Sequence, residues 1–236
     1  MERRHRRGSD GPAEPCGIAV TLRLKEVGRL SRGRILVLNG TSSAGKTTLA
    51  DALQAALPDR YEQAGLDRTL RTVPSDLFVV VDHTGHAPVD GWLIPMRDGA
   101  QIGLPTLGPR AFEVLEDMYA SIGARADAGA NLIVDDVLWH PRALEMAIAH
   151  FADRDAWLID VFCPVDIAVE REKLRGDRAA GGAALFEKEV HRHGVYDIRV
   201  DTSALTPDEA AEEVVGALSV KPAPQAFREL RSRTAP

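Results

Sequence analysis

Eight consecutive residues, Gly40-Thr41-Ser42-Ser43-Ala44-Gly45-Lys46-Thr47, match the pattern G-x-x-x-x-G-K-[ST] at every fixed position. Small side chains let the backbone curl around an anion with its N–H groups turned inward. A helix starting behind the loop adds its positive N-terminal end. Lys46 is a compact charge for β- and γ-phosphates, the Thr47 hydroxyl is placed to ligate Mg²⁺, and Thr48 completes the set. Residues 40–48 are therefore expected to hold ATP with magnesium. A phosphate cradle alone does not name a reaction, because the acceptor, the base and the covering segment come from elsewhere.

Three further groups could supply them. Asp67 ends a weak strand, YEQAGLD (61–67), placed to face the terminal phosphate across the sheet edge. Position alone leaves two roles open: a base that takes the proton of an attacking hydroxyl, or an N-cap for a helical turn at 68–73. Asp135 and Asp136 follow the apolar run LIV, where a carboxylate commonly serves Mg²⁺. Strand side chains alternate, so one of the pair should face the site; Asp135 is the choice. Arg171, Arg175 and Arg178 precede the pair Gly181-Gly182, and the first two share a helix face. On a mobile segment, about 171–190, Arg175 and Arg178 would join Lys46 in neutralising charge on the transferring group. The rival for these arginines is a solvated face paired with Glu170 and Glu172. The histidines at 83, 86, 140, 191 and 193 match no tight metal-ligand spacing and read as surface residues.

The elements that must position these groups follow from hydrophobic spacing. RILVLN (34–39), NLIVDD (131–136) and AWLIDVFC (156–163) read as buried strands, with FVVV (78–81) and DIRVD (197–201) as further ones. Leu49, Ala52, Leu53, Ala56 and Leu57 space a helix that stops at Pro58. Helices are also expected at 110–128, at 141–151, from 165, and after Thr206-Pro207-Asp208-Glu209. Asp98-Gly99 between apolar arms signals a hairpin. Strands alternating with helices imply an α/β sandwich: a short parallel sheet, helices on both faces, ligands at the carboxyl ends of the strands.

Composition narrows the function classes. Hydrophobic residues make up 44% of the 236, enough for a real core, and no apolar run is long enough for a bilayer. Only Cys16 and Cys163 occur, which points to a reducing compartment such as the cytoplasm. Residues 1–34 carry nine basic and four acidic side chains, and 221–236 carry four and one. The remainder of a chain with net charge −6 is thus strongly acidic, which argues against a broad nucleic-acid surface. Residues 1–33 are expected to be a disordered basic extension, 34–220 the P-loop domain, and 221–236 a flexible tail.

NGTSSAGKT, GLD with Pro74 seven residues beyond Asp67, GARADAGANLIVDDV, R-x-x-x-RGDR from Arg171, and VHRHGVYDIRVDTS together resemble chloramphenicol phosphotransferase and its relatives, from about residue 34 to 215. The resemblance implies a P-loop kinase-like fold and transfer of the γ-phosphoryl group of ATP to a hydroxyl. The founding activity inactivates an antibiotic through its primary alcohol. It assigns Asp67 the base role and supports Arg175 and Arg178 as lid residues. Residues 75–91 are longer and differently composed than the family's stretch and should shape the acceptor pocket. The expected function is an ATP-dependent O-phosphotransferase for a small hydroxylated molecule, such as an antibiotic like chloramphenicol. The alternatives are a kinase for a nucleoside or sugar and a nucleotide-dependent switch. The switch reading leans on D-x-x-G at Asp82-His83-Thr84-Gly85, but the chain has no N-K-x-D to read guanine.

Overall fold

The computed structural model describes residues 32–84, 87–176 and 179–234. Five strands form a parallel sheet: β1 (Arg34–Asn39), β2 (Tyr61–Gly65), β7 (Asn131–Asp136), β8 (Asp155–Phe162) and β9 (Ile198–Asp201). Their order across the sheet is β2-β7-β1-β8-β9, so the phosphate-loop strand is central. β1 is registered with β7 on one side and β8 on the other, pairing Asn39 with Asp136 and with Asp160. Its apolar residues Ile35 to Leu38 are fully buried, as expected of a strand covered on both faces.

Two apolar layers clamp this sheet. On one face lie α3 (Pro109–Asp127), α4 (Pro141–Phe151) and α8 (Ala226–Thr234), packed through Tyr119, Phe151 and Phe227. On the other lie α1 (Lys46–Ala56), α5 (Val165–Arg175), α6 (Gly182–Val190) and α7 (Pro207–Val220), packed through Leu49, Ala168, Ala183 and Val214. Each fully buried Leu or Phe contributes roughly 1.5–3 kcal/mol through apolar area removed from water. α7 opens with the expected capping box: Thr206 accepts from the Glu209 N–H, and the Glu209 carboxylate accepts from the Thr206 N–H.

A second, smaller sheet stands beside the strands' carboxyl ends. β3 (Phe78–Val81) pairs in parallel with β4 (Trp92–Arg97), which also pairs antiparallel with β5 (Ala100–Gln101) and β6 (Thr106–Leu107). The β4–β5 hairpin turns at Asp98-Gly99, where the sequence places it.

Two boundaries differ from expectation. β2 ends at Gly65 and the short helix α2 (Leu66–Leu70) follows at once, so Asp67 sits in a helical turn rather than at a strand end. The segment expected to be a flexible tail from 221 instead forms α8, whose Ala226, Phe227 and Leu230 are buried against α4 and β8. Three apolar residues spaced i, i+1, i+4 among arginines were enough to dock it. The expected N-terminal extension, apart from Arg32 and Gly33, lies outside the described residues.

Candidate active site

The phosphate loop runs from the end of β1 into α1, as its motif requires. Gly45 caps α1 at φ 93°, in the left-handed region that an L side chain resists. Lys46 is only 7% exposed. Its Nζ donates to the carbonyls of Gly40 at 3.0 Å and Thr41 at 2.9 Å, and lies 3.9 Å from Asp135 Oδ1. The Ser43 hydroxyl is buried with no hydrogen-bond partner among the described residues. Such an orphan is costly unless an anion supplies an acceptor, so the loop fits a bound phosphate chain.

Behind the loop, Thr202 at the end of β9 donates its hydroxyl to the Ala44 carbonyl at 2.7 Å. Arg171 from α5 holds Thr202 in turn, at 2.7 Å to its carbonyl and 3.2 Å to its hydroxyl. Arg171 thus braces the underside of the loop. Arg175, one turn on, is exposed and lines all three clefts that meet at the phosphate end. Arg178 lies outside the described residues.

The neighbouring aspartates part as strand alternation dictates. Asp135 Oδ2 accepts the Thr47 hydroxyl at 2.6 Å, placing two hard oxygen donors together beside Lys46. That donor set suits Mg²⁺, which keeps most of its shell for phosphate and water oxygens. Among the described residues no group of three or more His, Cys, Asp or Glu could cage a metal ion. Asp136 turns to the opposite face and accepts the Tyr119 hydroxyl at 2.8 Å and the Val137 N–H at 2.7 Å. Burial pushes its carboxyl up to about 6, against the pull of those two donors.

Asp67 is in the first turn of α2, and the cap of that helix is Gly65, so the capping role is not what Asp67 does. It lines a cavity of about 190 Å³ together with Ser42, Lys46, Thr47 and Asp135. The far end of this cavity is apolar: Leu66, Leu70, Phe78, Trp92, Ile94, Leu107, Leu115, Trp139 and Phe186. Phe78 and Trp92 stack with ring centroids 5.1 Å apart and planes 17° from parallel. Trp139 and Phe186 have ring centroids 5.6 Å apart and planes tilted by 56°. His140 joins the wall as the cap of α4, with Nδ1 accepting the Arg142 N–H at 3.2 Å. Burial lowers its pKa, which favours the neutral ring. On the other side of the loop an open cleft of about 540 Å³ is lined by Thr48, Asp51, Leu174, Leu205 and Pro207.

Sequence reasoning missed Thr202, Glu172, Tyr119 and most of the aromatic wall; of the stretch 75–91 expected at the acceptor pocket, Phe78 lines the cavity. Glu172 read as the surface partner of an arginine but is 3% exposed. Its signal was the i, i+4 spacing from buried Ala168. The histidines at 191 and 193 are not surface residues either. His191 Nδ1 lies 2.8 Å from the Tyr196 hydroxyl and 3.4 Å from Asp160, and His193 Nε2 is 3.4 Å from Asn39 Nδ2. Asn39 also donates to Val190 O and accepts from Leu138 N, tying three loops under the phosphate cradle. The switch-like Asp82 follows β3, in the second sheet, and its side chain is 92% exposed.

Comparison with known proteins agrees with this architecture. Residues 33–219 match the model of the chloramphenicol phosphotransferase-like protein family. Proteins from two strains of Mycobacterium tuberculosis, CDC 1551 / Oshkosh and H37Rv, whose name O-phosphotransferase is itself provisional, are 30% identical over 216 residues, 89% of this chain and 93% of theirs. Among solved structures, the M. tuberculosis APS kinase CysC in complex with AMPPNP and APS is similar at TM-score 0.56 and 17% identity, covering 80% of this chain and 98% of that one. The tunicamycin resistance protein of Deinococcus radiodurans is similar at TM-score 0.52 and 14% identity, covering 82% and 99%. These two show the fold, a P-loop kinase sandwich. With a family model matched across most of its length and relatives aligned nearly end to end, the chain belongs to the chloramphenicol phosphotransferase-like family of phosphotransferases.

Proposed function

We propose that the protein is an ATP- and Mg²⁺-dependent kinase that phosphorylates a hydroxyl of a small, uncharged, mainly apolar molecule bearing a flat ring. One observation carries the reading: a single cavity joins Asp67 and the phosphate loop at one end to an aromatic and aliphatic wall at the other. Asp67 accepts the proton of the acceptor hydroxyl as its oxygen attacks in line. Lys46 and Arg175 neutralise the charge spread over the transferring group, with Arg178 expected to assist. Magnesium, held by Thr47 and Asp135 with phosphate oxygens, would screen the same charge. The nucleoside end of ATP fits the open cleft beyond Thr48, between Leu174 and Pro207.

The charged residues that line the cavity, Lys46, Asp67, Asp135, Asp136 and Arg175, come from the phosphate loop, α2, the end of β7 and α5, whereas Phe78, Trp92, Ile94, Leu107, Trp139 and Phe186 offer an acceptor mainly apolar contact, which favours an apolar molecule over a sugar. An antibiotic alcohol, chloramphenicol included, has the right character. A switch is disfavoured because Asp82 is exposed, away from the parallel sheet. A cytoplasmic protein working without nucleic acid or membrane fits the acidic domain, and no described helix is long and apolar enough to cross a bilayer. The test is Asp67→Asn, assayed with γ-labelled ATP across a panel of alcohols. Transfer should fall by about 10²-fold or more, the worth of a positioned base, with ATP affinity kept. Unchanged turnover removes Asp67 from the chemistry.

A further inference from the structure

Glu172 and Ala168 are the two buried residues of α5. A buried carboxylate is expensive unless its oxygens are occupied. Oε2 accepts the Gly181 N–H at 2.7 Å and Oε1 the Ala183 N–H at 2.9 Å. Both amides belong to the entry of α6, where donors have no partner within the helix. The same run is gripped from two other sides. The Gln101 N–H of β5 donates to Ala180 O at 2.7 Å. Gly181 lies so close beneath β5 that a Cβ there would stand 2.3 Å from the Gln101 carbonyl oxygen, at φ +104°. From the phosphate loop, the Thr41 hydroxyl donates to Ala183 O at 2.6 Å.

Four parts of the molecule therefore meet within four residues. The β4–β5 ribbon brings Trp92 and Ile94 to the cavity, and α6 brings Phe186. Thr41 belongs to the phosphate loop, and α5 carries Arg171 and Arg175. None of the joining residues, Thr41, Gln101, Glu172, Ala180, Gly181 and Ala183, lines the cavity itself.

We propose that Glu172 is a positioning residue that locks the acceptor wall to the phosphate loop, setting the bound alcohol in register with the transferred group and keeping water out of its place. The inference rests on reading the cavity as the acceptor site. In productive transfer the alcohol oxygen forms the new P–O bond, the bond from the γ-phosphorus to the bridging oxygen breaks, ADP leaves, and the proton goes to Asp67. If the wall slips, water supplies the oxygen instead and inorganic phosphate is released. A carboxylate that merely caps α6 would have only local effects.

Glu172→Gln and, separately, Gly181→Ala in the full chain distinguish the two. The readouts are amide hydrogen exchange, phosphate release from ATP without an alcohol, and affinity for a non-hydrolysable ATP analogue with Mg²⁺. Glu172→Gln should speed exchange at Gly181, Ala183 and also Gln101 by roughly 10-fold, the loss of one to two buried hydrogen bonds. Acceptor-free phosphate release should rise severalfold, with analogue affinity within about threefold of wild type because the cradle itself is untouched. Gly181→Ala, which attacks the contact from the hairpin side, should give the same pattern. Faster exchange confined to Gly181 and Ala183, with Gln101 protected and phosphate release unchanged, overturns the proposal. Failure of the wild-type chain to bind the analogue would sink the kinase reading itself and any role in transfer with it, and the exchange result would show that separately.

Discussion

At one end of the cavity, nine consecutive residues from Gly40 to Thr48 make a cradle whose donors are mostly backbone. At the other end, Phe78, Trp92, Leu107, Trp139 and Phe186 come from five separate segments and contribute side chains. The first end depends on the conformation of one short peptide. The second depends on how a small sheet, a loop and α6 are held against one another.

The sharpest way to break the contrast is Gly45→Val. Space is not the obstacle, since a Cβ would meet Thr202 and Arg171 only at ordinary contact distances of 3.6 Å and 3.7 Å. The obstacle is φ, because a β-branched residue resists +93°. Relaxation would swing the inward N–H groups away and weaken ATP binding by about 10²-fold or more. Isothermal titration should show the loss while circular dichroism stays native.

Next in size is the support under the cradle, which belongs to neither end. Burial, with His191 nearby, lowers His193 to about 4, below its usual value. The unfolded chain then binds the proton more readily than the native one between about pH 6.5 and 4. Stability is full above that window and is lost as pH falls through it, by roughly 2 kcal/mol once partial solvent access is allowed for. Chemical denaturation at pH 7 and 4.5 should show this loss, and His193→Gln should remove most of it.

Trp92→Leu tests the wall alone. It removes the stack on Phe78 but keeps an apolar surface, so acceptor KM should rise about 10-fold, the worth of one aromatic pair. Nucleotide affinity should hold; if both fell together, the two ends would not be separable. Smallest is Thr206→Ala at the rim of the open cleft beside the phosphate loop. Losing the capping box should cost about 1 kcal/mol in thermal or chemical unfolding and leave transfer intact.

The cradle was legible because its information is local: spacing alone places Lys46, Thr47 and the strand before them, and strand alternation alone separates Asp135 from Asp136. The parallel sheet was legible for the same reason. α8 was not, because three apolar residues among arginines carry little periodic signal until Phe227 meets Phe151. Beyond the stretch 75–91, the wall was invisible because Trp139 and Phe186 join Phe78 and Trp92 only after the chain has crossed the sheet several times. Arg171 looked like its helix-mate Arg175, and only the partner at Thr202 tells them apart.

That partner has one last effect. A trans peptide points its carbonyl and its N–H in opposite directions. By drawing the Ala44 oxygen outward, the Thr202 hydroxyl obliges the Gly45 hydrogen to face in. A threonine 158 residues downstream thus sets the electrical sign of the cradle's inner surface, and a valine there would free that plane to rotate and offer the incoming anion an oxygen instead.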